Sequence, residues 1–76
     1  MKLDNDKIDE AVLALLLLGI HDGARVWKGF DWESLNRLYE KGFISDPHGK
    51  AKSVVMTEAG LNEAQVLLEK LFSEQN

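Results

Sequence analysis

Apolar residues fall at helical spacing in three stretches of the chain. Residues 11–18 are apolar without interruption, and this predicts a helix over about 5–19 that is buried on all sides. Within 31–41 and within 58–72, apolar residues recur every three or four positions, and this predicts two helices with one apolar face each. Helices therefore dominate the expected fold.

The ends of these helices carry capping residues. Asp31 and Thr57 stand just before the middle and last helices, and either Asp4 or Asn5 precedes the first. The side-chain oxygen of each can cap its helix by accepting hydrogen bonds from backbone N–H groups that have no partner within the helix. Gly42 follows the middle helix, where a glycine terminates a helix in the left-handed conformation.

Two further segments are less regular. A short helix is predicted over 22–28, where an aspartate can cap the start and a glycine follows the end. Residues 43–45 and 53–56 are short β-prone runs, and the Asp-Pro-His-Gly sequence at 46–49 between them matches a type I turn. A β-hairpin is therefore predicted over 43–56.

The predicted order is helix, short helix, helix, hairpin and final helix. This order is typical of a winged helix-turn-helix arrangement. We expect a mainly α fold of the α+β class that is winged-helix-like, with three helices, a short two-stranded β-hairpin as the wing and a C-terminal helix. All 76 residues would form one domain, because the chain is too short for two.

Parts of the chain resemble known families. The sequence Leu35-x-x-Leu38-Tyr-Glu-Lys-Gly42-Phe-Ile44, a Pro/Gly wing with Lys50 and Lys52, and Val55-Met-Thr57-Glu-Ala-Gly60-Leu are similar to the third helix, wing and final helix of PadR- and MarR-type winged-helix regulators. That resemblance implies DNA binding through the third helix. The whole chain, particularly residues 27–32 and 50–55, also resembles a family of small bacterial proteins known only as a domain of unknown function, which implies no activity.

Charge separates the middle of the chain from its two ends. The full sequence has 9 basic and 13 acidic residues, a net charge of −4, and this excludes a strongly cationic nucleic-acid binder. Residues 23–56 hold six basic and four acidic groups, whereas residues 1–22 and 57–76 each carry a net charge of −3. The positive excess coincides with the helix and wing that would contact phosphates.

A DNA-binding module of this shape would use the solvent face of its 31–41 helix together with the wing. Asparagine and arginine can read base edges, and lysine can contact phosphates. The expected contact residues for double-stranded DNA are Ser34, Asn36, Arg37, Lys41, Lys50 and Lys52. Glu33 and Glu40 share this helix face, and an ordinary solvated surface is an equally good interpretation of it.

An aromatic cluster precedes and begins the same helix. Trp27, Phe30 and Trp32 surround Lys28 and follow Arg25. Such side chains can stack on bases or anchor a protein partner. Because a domain of this size needs large side chains for its own core, we predict that Trp32 and Trp27 lie in the core.

The sequence carries no recognisable catalytic or metal-binding pattern. His21 and His48 have no third ligand at a metal-site spacing, and the chain has no Cys. It also has no phosphate-binding glycine loop and no serine in a His/Asp context. We expect a protein that is not an enzyme and needs no cofactor or metal.

The apolar run at 11–20 does not read as a membrane or targeting segment. It is ten residues long, whereas a membrane span needs about 20. The residues before it are mostly acidic, and a signal peptide has a basic leading region. We therefore expect a cytoplasmic protein without a membrane partner.

A first helix that is apolar on every side needs more cover than so short a chain supplies. We therefore expect a homodimer joined through the first and last helices. The expected interface residues are Leu13, Leu17, Ile20, Leu71 and Phe72. A monomer in which the wing and the 31–41 helix cover the first helix completely is the alternative.

Two functions remain open from the sequence. One is a DNA-binding transcriptional regulator, and the other is a protein-interaction or dimerisation module of winged-helix shape without nucleic-acid contact. The fold alone does not separate them.

Overall fold

A computed structural model describes residues 1–74, which form three helices and a small two-stranded antiparallel sheet. The elements are α1 (Asn5–Leu18), β1 (Arg25–Trp27), α2 (Trp32–Glu40), β2 (Ser53–Val55) and α3 (Glu58–Phe72). The expected mainly helical α+β class is confirmed, and the order of elements is compatible with a winged-helix-like arrangement.

Each helix begins at a side-chain cap. Asp4 accepts hydrogen bonds from the backbone N–H groups of Asp6 and Lys7, so it is the cap of α1. Asp31 caps α2 and Thr57 caps α3 in the same way. These caps satisfy backbone donors that lie in the first turn of each helix, where no intrahelical acceptor exists.

The short helix predicted over 22–28 does not form, because this segment turns sharply and then extends. Asp22 and Gly23 have positive φ angles of 46° and 84°, which a right-handed helix does not admit. After this turn, Arg25 and Trp27 are exposed while Val26 is buried, the two-residue period of a strand. The segment is β1 of the sheet.

The sheet joins β1 to β2 rather than joining the two arms of the predicted hairpin. Antiparallel pairs form between Arg25 and Val55, Val26 and Val54, and Trp27 and Ser53. The expected first arm, 43–45, meets the second arm at an isolated bridge between Ile44 and Met56. The wing predicted over 43–56 is thus a loop that leaves α2 and returns as β2.

The core lies between α1 and the other elements. α1 packs chiefly against α3 and also against α2 and β1. Its buried side chains belong to one core cluster with apolar residues of the other elements. The buried apolar residues are Val12, Leu13, Ala14, Leu16, Val26, Leu35, Leu38, Ile44, Val54, Met56, Ala64 and Leu67.

Candidate functional site

A buried ion pair links α1 to α2. Arg37 donates two hydrogen bonds to the Asp9 carboxylate, from Nε at 2.6 Å and from a terminal nitrogen at 2.9 Å. Asp9 is 1% exposed. The same arginine donates to the hydroxyl of Ser34 at 3.3 Å, and that hydroxyl donates to Asp31. This forked geometry fixes the position of α2 on α1, because both hydrogen bonds depend on the angle between the helices.

The charge of this pair is held in place by its surroundings. Burial by itself raises the pKa of Asp9, but the hydrogen bonds from Arg37 and the positive charges of Arg37 and Lys41 hold the pKa below its ordinary value. The hydrogen bond to Asp9 in turn raises the pKa of Arg37. Both groups are therefore ionised at neutral pH.

Lys41 lies in the same acidic neighbourhood. Its Nζ atom is 3.8 Å from Asp6 and 3.9 Å from Asp9. A shallow cleft of about 390 Å³ beside it is also lined by Glu10 and Glu63. A phosphate at this place would meet carboxylates as well as cations, so this side of α2 is poorly suited to an anion.

The structure separates the six residues expected to contact DNA. Ser34 is buried, Arg37 is bound to Asp9, and Lys41 lies beside carboxylates of α1. Arg37 and Lys41 thus lie on the side of α2 that faces acidic residues of α1, and contact of these three residues with DNA stays a prediction. The remaining three are Asn36, which is half-buried, and Lys50 and Lys52, which are exposed on the loop before β2.

The opposite side of the α2 region carries exposed aromatic rings. Trp27 is 64% exposed and Trp32 is 50% exposed, so the predicted core positions of both are wrong. The imidazole of His48 meets the ring of Trp32 edge to face, with centroids 5.0 Å apart, and the ring of Tyr39 at 6.3 Å. Phe30 is also exposed. We call Trp27, Phe30, Trp32, Tyr39 and His48 the aromatic face.

Lys28 anchors the loop that carries His48. Its Nζ atom donates hydrogen bonds to the carbonyl oxygens of Pro47 at 2.6 Å and Gly49 at 2.8 Å. The backbone N–H of His48 donates to the carboxylate of Asp46, and the imidazole also contacts that carboxylate. Both hydrogen bonds from His48 lower the pKa of Asp46, the backbone one most. The loop therefore has a defined shape.

A second apolar surface lies where the carboxyl ends of α1 and α3 meet. It is a groove of about 540 Å³, which we call the α1–α3 groove. Leu18 is 68% exposed at its edge and Phe72 is 50% exposed. The groove is lined by Leu17, Leu18, Gln65, Leu68, Glu69, Phe72 and Ser73.

Of the expected interface residues, Leu17 and Phe72 line this groove, and Ile20 and Leu71 lie outside its lining. Leu13 is 1% exposed and belongs to the core of the single chain, and its place in an interface stays a prediction. Leu17 is half-buried in the wall of the groove. Ile20, Leu71 and Phe72 are exposed. Leu18, which the sequence interpretation did not name, is the most exposed apolar residue of the groove.

The described residues contain neither a cluster suited to a metal ion nor a helix suited to span a membrane. Within residues 1–74, no group of three or more His, Asp or Glu side chains is placed to hold a metal ion. None of the three helices in this part of the chain is long and apolar enough to cross a bilayer.

Comparisons with known proteins agree on one relationship. A family model described as a domain of unknown function (DUF6429) matches residues 4–74. An uncharacterized protein of Sinorhizobium fredii, y4hR, is 51% identical over 73 residues, which cover 96% of this chain and 99% of the relative. No solved structure matches the chain.

Proposed function

This chain belongs to the family described as a domain of unknown function (DUF6429), and we propose, from its own surface, that it is a non-enzymatic interaction module that forms a homodimer. The observation that carries the proposal is the α1–α3 groove. It presents leucine and phenylalanine side chains to water at the ends of two helices. Contiguous exposed apolar surface of this kind is typical of protein–protein contact sites.

A second copy is the occupant that the groove fits best. Exposed Leu18 and Phe72 line the groove together with half-buried Leu17 and Leu68, so one patch offers both apolar side chains to insert and an apolar surface to receive them. Under two-fold symmetry, the same patch on each copy covers the other. Such pairing would also add apolar burial to a chain whose own core is small.

Regulation through double-stranded DNA is the less favoured function. It is supported by the winged-helix-like order of elements and by the exposed side chains of Lys50 and Lys52. Against it, Arg37 and Lys41 lie beside carboxylates that they already bind, and Ser34 is buried. A helix that enters the major groove of a duplex must present positive charge to the phosphates. The cations on this side of α2 are already paired with carboxylates, so α2 gives this function little support.

Light scattering on a size-exclusion column tests the dimer. We expect a mass of twice the 8.6 kDa protomer at tens of micromolar protein. Leu18→Glu should give the protomer mass with an unchanged circular dichroism spectrum. The introduced carboxylate stays hydrated in the monomer but would be buried without a partner in the dimer.

Val66→Glu is the matched control for this variant. Val66 is 60% exposed on α3 and does not line the groove, so its replacement should leave the mass of the dimer unchanged. A wild-type protein that elutes at the protomer mass would contradict the proposal. Equal dissociation by the two substitutions would place the interface elsewhere.

A further inference from the structure

We propose that the aromatic face binds single-stranded nucleic acid, with bases stacked on Trp27 and Trp32 and the backbone held by Arg25, Lys50 and Lys52. This site is separate from the α1–α3 groove, and the proposal does not depend on the dimer. It rests on three observations: the rings are held in place, their surfaces are open, and the cations beside them are available.

The two tryptophan rings are held by contacts on one side each. The ring of Trp27 lies against the backbone of Gly29, where a Cβ atom would overlap the ring. The ring of Trp32 is met by the imidazole of His48, with the two planes at 88°. Both residues nevertheless keep half or more of their surface in water. A ring that is positioned before binding loses little conformational entropy when a base stacks on it.

Lys28 ties the two rings to one framework. Its backbone N–H donates to Lys52 in continuation of the sheet, directly after Trp27. Its side chain holds the carbonyl groups on both sides of His48, which contacts Trp32. The strand, the loop and the start of α2 are therefore held to one another by these contacts, and aromatic stacking platforms recur in proteins that bind single strands.

The cations of this surface differ from those on the other side of α2. Among residues 1–74, no carboxylate lies within 4.0 Å of the side-chain nitrogens of Arg25, Lys50 or Lys52. Arg25 shares the outer face of β1 with Trp27, because residues two apart on a strand point to the same side. The nearby carboxylates of Asp31 and Asp46 accept hydrogen bonds from α2 and from His48. The surface therefore offers net positive charge to an anion.

A single strand fits these features better than other anionic partners. Duplex bases are stacked on one another and cannot offer their faces to Trp27 or Trp32. An acidic peptide would use the cations but would leave the two rings without a matching surface. A single strand supplies a flat base for each ring and a phosphate for each cation.

Intrinsic fluorescence measures this binding directly, because Trp27 and Trp32 are the two tryptophans of the protein. We expect an oligothymidylate of 15 nucleotides to quench the emission saturably, with a dissociation constant of about 1–100 μM in low salt. With three phosphate contacts, log K should fall against log[salt] with a slope of about −2. Trp27→Leu and Trp32→Leu should each weaken binding about 5- to 100-fold, read from the remaining tryptophan.

Two double variants with the same net charge separate a local site from general attraction. Lys50→Ala with Lys52→Ala should weaken binding about 5-fold or more, since two phosphate contacts are lost. Lys2→Ala with Lys7→Ala removes the same two charges from the acidic amino-terminal region and should leave binding unchanged. Equal losses in the two double variants would overturn the proposal.

Two competing ligands complete the test. A duplex of the same length and poly-glutamate should each quench the tryptophans at least 10-fold less well than the single strand. Equal affinity for the duplex would indicate attraction to phosphate without stacking, and equal affinity for poly-glutamate would indicate an acidic protein partner. Either result, or no quenching at protein and ligand concentrations near 100 μM, would overturn the proposal.

Discussion

The two sides of α2 carry opposite kinds of surface. On the side toward α1, Arg37 and Lys41 lie beside Asp9 and Asp6, so the positive charge is neutralised within the protein. On the side toward the β2 loop, aromatic rings are exposed and the neighbouring cations have no carboxylate within 4.0 Å among residues 1–74. The first side carries ion pairs between α1 and α2, and the second is exposed to solvent.

The contrast between the two sides of α2 shows that residue type alone does not identify a binding surface. Arginine suggests contact with phosphate and tryptophan suggests a core, yet in this chain Arg37 is structural and Trp32 is exposed. What decides each role is the neighbour that the fold supplies. A buried carboxylate faces the arginine, whereas an exposed loop faces the tryptophan.

The largest expected effect is the loss of the buried ion pair. Arg37→Met removes both hydrogen bonds to the buried Asp9 carboxylate and leaves Lys41, 3.9 Å away, as its remaining cationic neighbour. We expect the free energy of unfolding to fall by about 3–5 kcal/mol. Urea denaturation followed by circular dichroism, at one fixed protein concentration, measures this change.

Arg25→Met is the matched control, because it removes the same charge from the exposed face of β1. Its effect on the free energy of unfolding should stay within about 0.5 kcal/mol. Equal losses in Arg37→Met and Arg25→Met would show that the ion pair with Asp9 stabilises the fold no more than an exposed arginine does.

The second expected effect is a loss of stability in acid that depends on Asp9. The pKa of this carboxyl is lower in the folded protein than its ordinary value of 3.8. Its contribution is therefore fully present above the unfolded pKa and is lost as the pH falls through the folded pKa. The free energy of unfolding of the wild type should decrease as the pH is lowered below about 5.

Asp9→Asn removes the titrating group, so its stability should depend less steeply on pH in that range. Denaturation curves collected at several pH values for both proteins give the two slopes. Parallel slopes would mean that other carboxylates, such as Asp46, account for the acid sensitivity.

A smaller effect is expected on the aromatic side, at the anchor of the loop. Lys28→Met removes two hydrogen bonds to the carbonyl groups of Pro47 and Gly49. We expect the free energy of unfolding to fall by about 1–2 kcal/mol, since one of the two bonds is exposed to water. Lys52→Met, which removes a neighbouring exposed lysine, should leave it unchanged in the same urea titration.

The smallest expected effect concerns Trp32 itself. Because half of its surface is in water, Trp32→Ala should lower the free energy of unfolding by about 1 kcal/mol or less, mainly through the lost contact with His48. Leu35→Ala, three residues further along α2 and fully buried, should lower it by about 2–5 kcal/mol. A larger loss of stability in Trp32→Ala than in Leu35→Ala, measured by thermal unfolding, would contradict the exposed position of Trp32.

The helical part of the fold follows from apolar spacing. The structure has helices at Asn5–Leu18, Trp32–Glu40 and Glu58–Phe72, where the sequence predicts 5–19, 31–41 and 58–72. Long periodic stretches make this possible, because an apolar face must be buried whichever element covers it. β1 is three residues long, and so short an alternation of exposed and buried residues is a weak signal for a strand. The aspartate before this segment and the glycine after it resemble helix caps, so the sequence predicts a helix instead.

The candidate sites depend on contacts that are distant in the sequence, and this limits prediction. Asp9 offered one local signal, since it lies three and four residues before Val12 and Leu13 and so continues the buried stripe of α1. A charge in such a stripe indicates a partner on another element, but not which one. The local sequence does not indicate that Trp32 is exposed. Trp32 lies three residues before buried Leu35, and this spacing places the two residues on the same face of a helix.

The pairing of β1 with β2 also has a consequence for how the chain folds. Each strand is three residues long, and residues 28–52 between them include all of α2. Closing so long a loop for a few hydrogen bonds is entropically unfavourable until the intervening chain is already compact. The sheet should therefore be completed late in folding, after α2 has docked on α1, and it should contribute little to the nucleus that sets the folding rate.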